Sequence, residues 1–91
     1  MSMATTLVHV GFGNYVAAGR VRRVEAPTSA PVQRLIREGK QEQNTVDLTS
    51  GRRTKLVLFM DTGRLFLLGI NKKRWLTRLG TATSPADASG D

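Results

Sequence analysis

Apolar residues near the start of the chain follow the short period of extended structure. Residues 7–10, Leu-Val-His-Val, are rich in β-branched side chains and predict a first strand. Residues 11–14 contain two glycines and an asparagine, which tolerate positive φ, and therefore predict a turn. Residues 15–25 predict a second extended segment, in which Gly19 indicates a bulge.

A helical period follows the break at Pro27. Thr28 or Ser29 can cap this helix, and Pro31 lies in its first turn, where a missing N–H costs nothing. The spacing of the apolar stripe predicts one face that packs on the core: Val32, Leu35, Ile36 and Gly39. Gly39 also indicates that another part of the chain comes close to this helix.

Residues 71–79 predict a short second helix, with Asn71 as its cap. The helical spacing places three apolar residues on its inner side: Trp75, Leu76 and Leu79. Residues 81–91 are rich in Ala, Ser, Thr and Gly and contain Asp87 and Asp91 without any Lys or Arg. They predict a disordered acidic tail after a single domain that spans residues 1–80.

Between the two helices, three strands are predicted. Residues 45–49 alternate in period two, as in a half-buried strand. Residues 55–60 and 64–70 predict two strands joined by Asp61-Thr62-Gly63, a strong hairpin signal, and residues 56–60 and 65–68 within them are apolar at consecutive positions. Strands of this kind are buried on both faces. The first helix can cover one face, and the other needs the second helix or another subunit.

These elements predict an α+β fold with a mostly antiparallel sheet. One helix lies between the second and third strands, and a short helix ends the domain. A chain of 91 residues buries only about 60–65% of the surface that its unfolded form exposes. It has no cysteine for a disulfide and one histidine for a metal site, so oligomerisation is the remaining way to gain buried area.

The residue types present argue against an enzyme. His9 is the only histidine, lies in a predicted strand, and has no nucleophile predicted beside it. The acidic residues are scattered and show no metal spacing, so no cofactor or small-molecule substrate is expected. The glycines at 11, 13 and 19 resemble a dinucleotide loop, but no helix is predicted after them, and a hairpin turn is favoured.

The sequence shows neither a signal peptide nor a membrane-spanning segment. Residues 1–6 lack the basic region of a signal peptide, and no apolar run approaches the roughly 20 residues needed to cross a bilayer. We therefore expect a cytoplasmic protein without a membrane partner.

Positive charge is the strongest functional signal. The formal net charge is +7, and the 14 basic residues all lie before residue 81. Such an excess favours polyanions. Gly51-Arg52-Arg53 is the most informative segment, because a tight turn there would expose two guanidinium groups that bind phosphate well.

The basic residues near strand ends predict a shared surface. Arg20, Arg22 and Arg23 lie on one extended segment, and Arg52, Arg53 and Lys55 lie at the base of another. If the two segments are neighbours, their ends form one basic ridge of the kind that β-ribbon and loop readers of DNA use. The alternative is that these arginines only solvate strand edges. Aromatic residues for base stacking are sparse, which favours duplex DNA over RNA.

Several of these segments together closely resemble the RemA family of bacterial extracellular-matrix regulatory proteins. The resemblance spans residues 7–79 and is carried by Gly11-Phe12-Gly13-Asn14, Arg20, Ser29-Ala30-Pro31 with Arg34, Gly51-Arg52-Arg53-Thr54, and Met60-Asp61. It differs from the family pattern at Gly19, in residues 40–44, and in the more basic run Lys72-Lys73-Arg74.

The resemblance implies a transcriptional regulator of biofilm-matrix operons that binds duplex DNA on the nucleoid. It also implies a homo-oligomeric ring of about seven or eight subunits, with a fold related to the LytTR DNA-binding domain. The family's DNA-contacting arginines correspond to Arg20, Arg52 and Arg53, and Pro31 is expected to be structural. Whether Arg22, Arg23, Lys55 and the basic run at residues 72–74 also contact DNA is left open by the sequence.

Two other functions remain open at this point. An Sm-like ring that binds RNA would need a base-stacking aromatic residue near its pore, and Tyr15 is the candidate. A protein that binds an acidic partner protein through its basic face would show no affinity for nucleic acid at physiological salt.

Overall fold

The computed structural model describes residues 6–81, which form a small α+β domain. The elements in chain order are β1 (Leu7–Gly11), β2 (Asn14–Ala17), β3 (Val21–Glu25), α1 (Ala30–Gln41), β4 (Thr45–Asp47), β5 (Leu56–Met60), β6 (Leu65–Leu68) and α2 (Lys72–Thr81). The predicted acidic tail, residues 81–91, lies outside the described residues except for Thr81, which ends α2.

The strands form two sheets. A four-stranded sheet has the order β3-β5-β6-β4, and β1 and β2 form a separate two-stranded ribbon. All pairs are antiparallel except β4 with β6. The prediction of a mostly antiparallel arrangement, with a helix before the strand at residue 45 and a second helix at the end, is confirmed.

The predicted single extended segment at residues 15–25 is wrong. Residues Ala18–Arg20 form a 3-10 turn that separates β2 in the ribbon from β3 in the larger sheet. The backbone N–H of Ala18 donates to the carbonyl of Thr6 at 2.9 Å, and the chain then leaves the ribbon to pair with β5. The irregular register lies between Val21 and Arg23, not at Gly19.

The β5–β6 hairpin is buried on both faces, as predicted. Leu56 and Leu58 lie on the face covered by the β1–β2 ribbon and Trp75, while Val57 and Leu67 lie on the face covered by α1. Adjacent residues of a strand point to opposite faces, and Leu56 and Val57 are both fully buried. The ribbon and Trp75 of α2 therefore cover the face that was expected to need the second helix or another subunit, so this face gives no argument for oligomerisation.

The caps of both helices are confirmed. Ser29 Oγ accepts a hydrogen bond from the backbone N–H of Val32 at 3.3 Å, and Asn71 Oδ1 accepts one from that of Arg74 at 2.8 Å. The inward placement of Leu76 and Leu79 is wrong, since these side chains are 53% and 37% exposed. Only Trp75 of the predicted stripe is buried, at 3% exposure.

Gly39 marks the closest approach between α1 and the sheet. A Cβ at this position would overlap Thr45 Oγ1 and lie 3.2 Å from Leu65 Cδ1. The hydroxyl of Thr45 is buried and has no hydrogen-bond partner among the described residues. The glycine thus allows α1 to lie directly on β4 and β6.

We predict that Gly39→Ala destabilises the protein by about 1–3 kcal/mol, because the added methyl group overpacks this contact. In an open helix the same change would stabilise by about 1 kcal/mol. Urea denaturation measures the difference. Gly80→Ala on α2, where nothing lies within 4 Å, is the matched control and should not destabilise. Adding Thr45→Ala should restore part of the loss, and an unaltered stability of Gly39→Ala alone would contradict the prediction.

Candidate nucleic-acid interface

The two predicted arginines lie on a tight turn. Ser50 and Gly51 have φ values of 53° and 81°, and the N–H of Arg52 donates to the carbonyl of Thr49 at 3.0 Å. Positive φ at both central residues defines a type I′ turn, which a glycine accommodates without strain. The turn ends at Arg52, and Arg52 and Arg53 are both exposed.

Asp47 anchors this turn from the end of β4. One carboxylate oxygen, Oδ1, accepts from the hydroxyl of Thr49 at 2.6 Å and from its backbone N–H at 2.9 Å. The hydroxyl bond, followed by the backbone bond, lowers the pKa of Asp47 below its usual value of 3.8. Thr49 is itself 1% exposed, so the start of the turn is fixed in the protein interior.

Phe12 fixes the orientation of Arg52. Phe12 and Gly13 form the turn between β1 and β2 with φ values of 57° and 77°, and Asn14 Nδ2 donates to the carbonyl of Gly11 at 3.2 Å. A bulky aromatic residue at positive φ is unusual and strained. The guanidinium carbon of Arg52 lies 4.8 Å from the centre of the Phe12 ring, within the range of a cation–π contact.

Helix α2 is fastened to β1 by Arg78. Its Nη1 atom lies 3.1 Å from the carbonyl oxygen of His9 and 2.6 Å from His9 Nδ1. Because a guanidinium can only donate, His9 Nδ1 is the acceptor of this contact. His9 is a partly buried residue of a strand, as the sequence predicted, and its ring lies 5.1 Å from that of Tyr15.

These elements enclose an open cleft of about 630 Å³. We call it the cationic cleft, after the five basic residues that line it: Arg52, Arg53, Lys55, Arg74 and Arg78. His9, Gly11, Phe12, Gly69 and Ile70 complete its walls. Within residues 6–81, the ion pairs join Arg20 to Asp61 and Arg23 to Glu25, and no carboxylate pairs with Arg52, Arg53, Lys55 or Arg74.

Arg20 lies at the opposite end of the sheet. The antiparallel register places Val21 beside Met60, whereas Arg52 and Arg53 precede the start of β5. Five residues of strand separate the two ends by roughly 17 Å. Arg20 Nη1 is 3.6 Å from Asp61 Oδ2, and the Arg20 carbonyl accepts from the Asp61 N–H at 2.8 Å. One chain therefore brings Arg52 and Arg53 together but leaves Arg20 apart.

Arg22 and Arg23 follow Val21 on β3, near the Arg20 end of the sheet and away from Arg52 and Arg53. The two segments are neighbours, as expected, but Arg23 pairs with Phe59 in the register of β3 and β5. Arg23 Nε lies 2.9 Å from Glu25 Oε2, and its guanidinium lies 4.5 Å from the centre of the Phe59 ring. Both arginines line a separate groove between β3 and α1, so the single basic ridge predicted from the sequence is not formed within one chain.

Two residues of the cleft were missed by the sequence reasoning. The sequence gives no signal for Arg78, and it predicts His9 only as a strand residue. Arg74 and Arg78 are four residues apart and share a face of α2, which a helical projection shows. That this face meets the arginine turn depends on how Trp75 packs, which the sequence does not reveal.

The described part of the chain shows neither a metal-binding cluster nor a membrane-spanning helix. Residues 6–81 contain no group of three or more His, Cys, Asp or Glu residues that could hold a metal ion. Neither α1 nor α2 is long and apolar enough to cross a membrane.

Comparison with known proteins identifies close relatives. The family described as RemA-like, extracellular matrix regulatory protein A-like, matches residues 7–79. A protein of Synechococcus sp. (strain JA-3-3Ab) is 42% identical over 88% of this chain and 90% of its own length. Relatives from Dehalococcoides mccartyi (strain BAV1) and Natranaerobius thermophilus are 38% and 36% identical over 92% and 93% of this chain, and 88% and 96% of theirs. All three are provisionally named regulatory proteins.

We predict that the Asp47–Thr49 anchor contributes stability at neutral pH and loses it in acid. A carboxyl group whose pKa is lowered by folding stabilises the folded state above its unfolded pKa of about 3.9, and this stabilisation disappears as pH falls through the lower folded value. The difference in unfolding free energy between the native protein and Thr49→Val, measured by urea denaturation, should therefore be largest at pH 7 and shrink as the pH is lowered below the unfolded pKa and through the lower folded pKa. A difference that stays equally large as the pH is lowered would contradict the role of the ionised carboxylate.

Proposed function

This chain belongs to the RemA-like family of regulatory proteins, and we propose that it regulates transcription by binding duplex DNA. The observation that supports this most directly is the cationic cleft, where Arg52 and Arg53 stand exposed and lack a carboxylate partner within residues 6–81. The five basic residues that line one cleft repel one another, and a polyanion would relieve the repulsion.

The chemistry of the turn suits phosphate. Each guanidinium offers a planar fork of donors that can bind two phosphate oxygens at once. The type I′ turn, its anchor at Asp47 and the ring of Phe12 hold Arg52 in a defined position. Contacts to phosphate position a protein on DNA without reading bases, so any sequence preference would come from how easily the duplex bends.

The exposed aromatic residues favour duplex DNA over single-stranded RNA. Phe12 and Tyr15 are 46% and 61% exposed, but one ring lies against Arg52 and the other against His9. A base could stack on these rings only by competing with those contacts. An Sm-like mode of binding, with Tyr15 as the stacking residue, is the alternative that a competition experiment distinguishes.

We propose that the protein acts as a closed ring of about seven or eight subunits. The larger sheet ends in β3 on one side and β4 on the other, two different edges that can meet head to tail. Exposed leucines at positions 35, 76 and 79 could add apolar contact area. In a ring, Arg20 of one subunit could lie beside the cationic cleft of the next, which would join the three predicted arginines into one track.

The proposed role needs no catalytic residue and no cofactor. It resembles the LytTR type of DNA binding in that a small sheet, and not a recognition helix, presents the contacts. It would place the protein on the nucleoid in the cytoplasm. Matrix or biofilm operons are the targets that the family name favours.

We predict that Arg52→Ala and Arg53→Ala each weaken binding to duplex DNA. One lost phosphate contact costs about fivefold in affinity at 0.15 M salt and lowers the salt dependence, expressed as log K against log salt, by about one unit for each subunit in contact. Gel-shift or fluorescence anisotropy titrations at several salt concentrations measure both quantities. Arg20→Ala should behave in the same way.

Arg34→Ala is the matched control for this series. Arg34 is exposed on α1, which packs on the opposite face of the hairpin from the ribbon and α2. Its removal takes away one charge without touching the cationic cleft. Equal losses in all variants would show that only net charge matters. Binding of poly(U) in preference to duplex DNA would support the RNA alternative.

We predict an assembly much larger than one chain of 10.0 kDa. Native mass spectrometry and light scattering at micromolar concentration should give a single closed species near seven or eight times that mass. A monomer under these conditions would contradict the ring. A broad series of masses would instead indicate open, unclosed association.

A further inference from the structure

The first turn of α2 carries a charge pattern that opposes helix stability. Lys72, Lys73 and Arg74 occupy this turn, which contains no acidic residue. The N-terminus of a helix bears a partial positive charge, so acidic residues stabilise it and basic residues destabilise it. Local patterns that act against stability are expected chiefly at functional sites.

The same arrangement attracts anions. Unpaired backbone N–H groups and the helix dipole make a helix N-terminus favourable for phosphate. In α2 the Asn71 side chain occupies the N–H of Arg74, and the three cations of the turn add full charges to the partial charge of the dipole. A negative ligand at this turn would therefore remove an unfavourable interaction within the protein.

Arg74 is the member of this run that faces the cationic cleft. Its side chain lines the cleft together with Arg53 and Lys55 from the opposite wall, whereas Lys72 does not line it. Helix α2 is held in place by the buried Trp75 and by the bonds from Arg78 to His9. The Lys55 N–H, which donates to the Leu68 carbonyl at 2.8 Å, fixes the other wall.

We propose that the cationic cleft seats a phosphate of the duplex backbone, and that Arg74 contacts this phosphate. This proposal rests on the DNA-binding function proposed above and adds a second wall to the interface. Arg52 and Arg53 approach the backbone from the turn, and Arg74 approaches it from α2. The cleft then grips the phosphate from two sides.

The test compares Arg74→Gln, Lys55→Gln and Lys72→Gln with the native protein. Each removes one positive charge, but only the first two change the lining of the cleft. Duplex DNA affinity is measured from 0.05 to 0.3 M salt, and the melting temperature is measured without DNA. For each subunit in contact, Arg74→Gln and Lys55→Gln should each lose about fivefold in affinity at 0.15 M salt and about one unit of salt slope.

The melting temperature separates a binding role from a structural one. Removing the cation of Arg74 from the helix N-terminus should leave the melting temperature unchanged or raise it, while DNA affinity falls. Lys72→Gln should show the same effect on melting and less than a twofold loss in affinity. If Arg74→Gln and Lys72→Gln lose affinity equally, long-range charge explains both, and the contact at Arg74 is refuted.

The same measurements distinguish a failure of the Arg74 contact from a failure of DNA binding as a whole. If the native protein fails to bind duplex DNA, both are wrong. If Arg52→Ala weakens binding while Arg74→Gln and Lys55→Gln bind as the native protein does, only the second wall is refuted.

A separate titration with inorganic phosphate and with pyrophosphate tests the alternative source of the anion. Binding of either one that Arg74→Gln abolishes, together with unaltered DNA affinity of that variant, would assign the cleft to a small phosphate instead of DNA. Competition of pyrophosphate with DNA for the native protein, lost in Arg74→Gln, would support the proposal.

Discussion

The structure depends on one hairpin whose strands are apolar at every position. Leu56 and Val57 are neighbours on β5, point to opposite faces, and are both fully buried, so the hairpin must be covered twice. Helix α1 covers one face, and the β1–β2 ribbon with α2 covers the other. Since both faces are occupied, charged side chains collect at the strand ends, with Arg20 at one end and Arg52 at the other.

Features encoded by neighbouring residues could be predicted from the sequence. The caps at Ser29 and Asn71 and the turn at Gly51 follow from local chemistry, and the structure confirms them. The break at residue 18 could not be predicted in this way, because Gly19 is equally compatible with a bulge in one strand, and the break is accompanied by a bond to Thr6 and by pairing with β5. Arg52 and Arg53 were found by their charge, whereas Arg78 joined the cleft only through the packing of α2.

The distribution of charge separates two kinds of arginine. Arg20 and Arg23 each form an ion pair with a carboxylate of the same chain. Arg52, Arg53 and Arg74 have no such partner among residues 6–81 and remain available to a ligand. Surface ion pairs contribute little to stability, so Arg20 could exchange Asp61 for phosphate at small cost. Within residues 6–81, the cationic cleft is therefore free of ion pairs with Arg52, Arg53 and Arg74, whereas a ligand of Arg20 would have to break the ion pair with Asp61.

The strained aromatic residue in the first turn reduces the freedom of the arginine beside it. Phe12 has a left-handed backbone conformation that costs about 1–2 kcal/mol, and its ring makes a cation–π contact with the guanidinium of Arg52. An arginine on a free surface loses rotamer freedom when it meets a ligand, whereas Arg52 has lost part of that freedom during folding. If the turn binds DNA as proposed, this preordering would favour a backbone of fixed phosphate spacing over a flexible polyanion of equal charge.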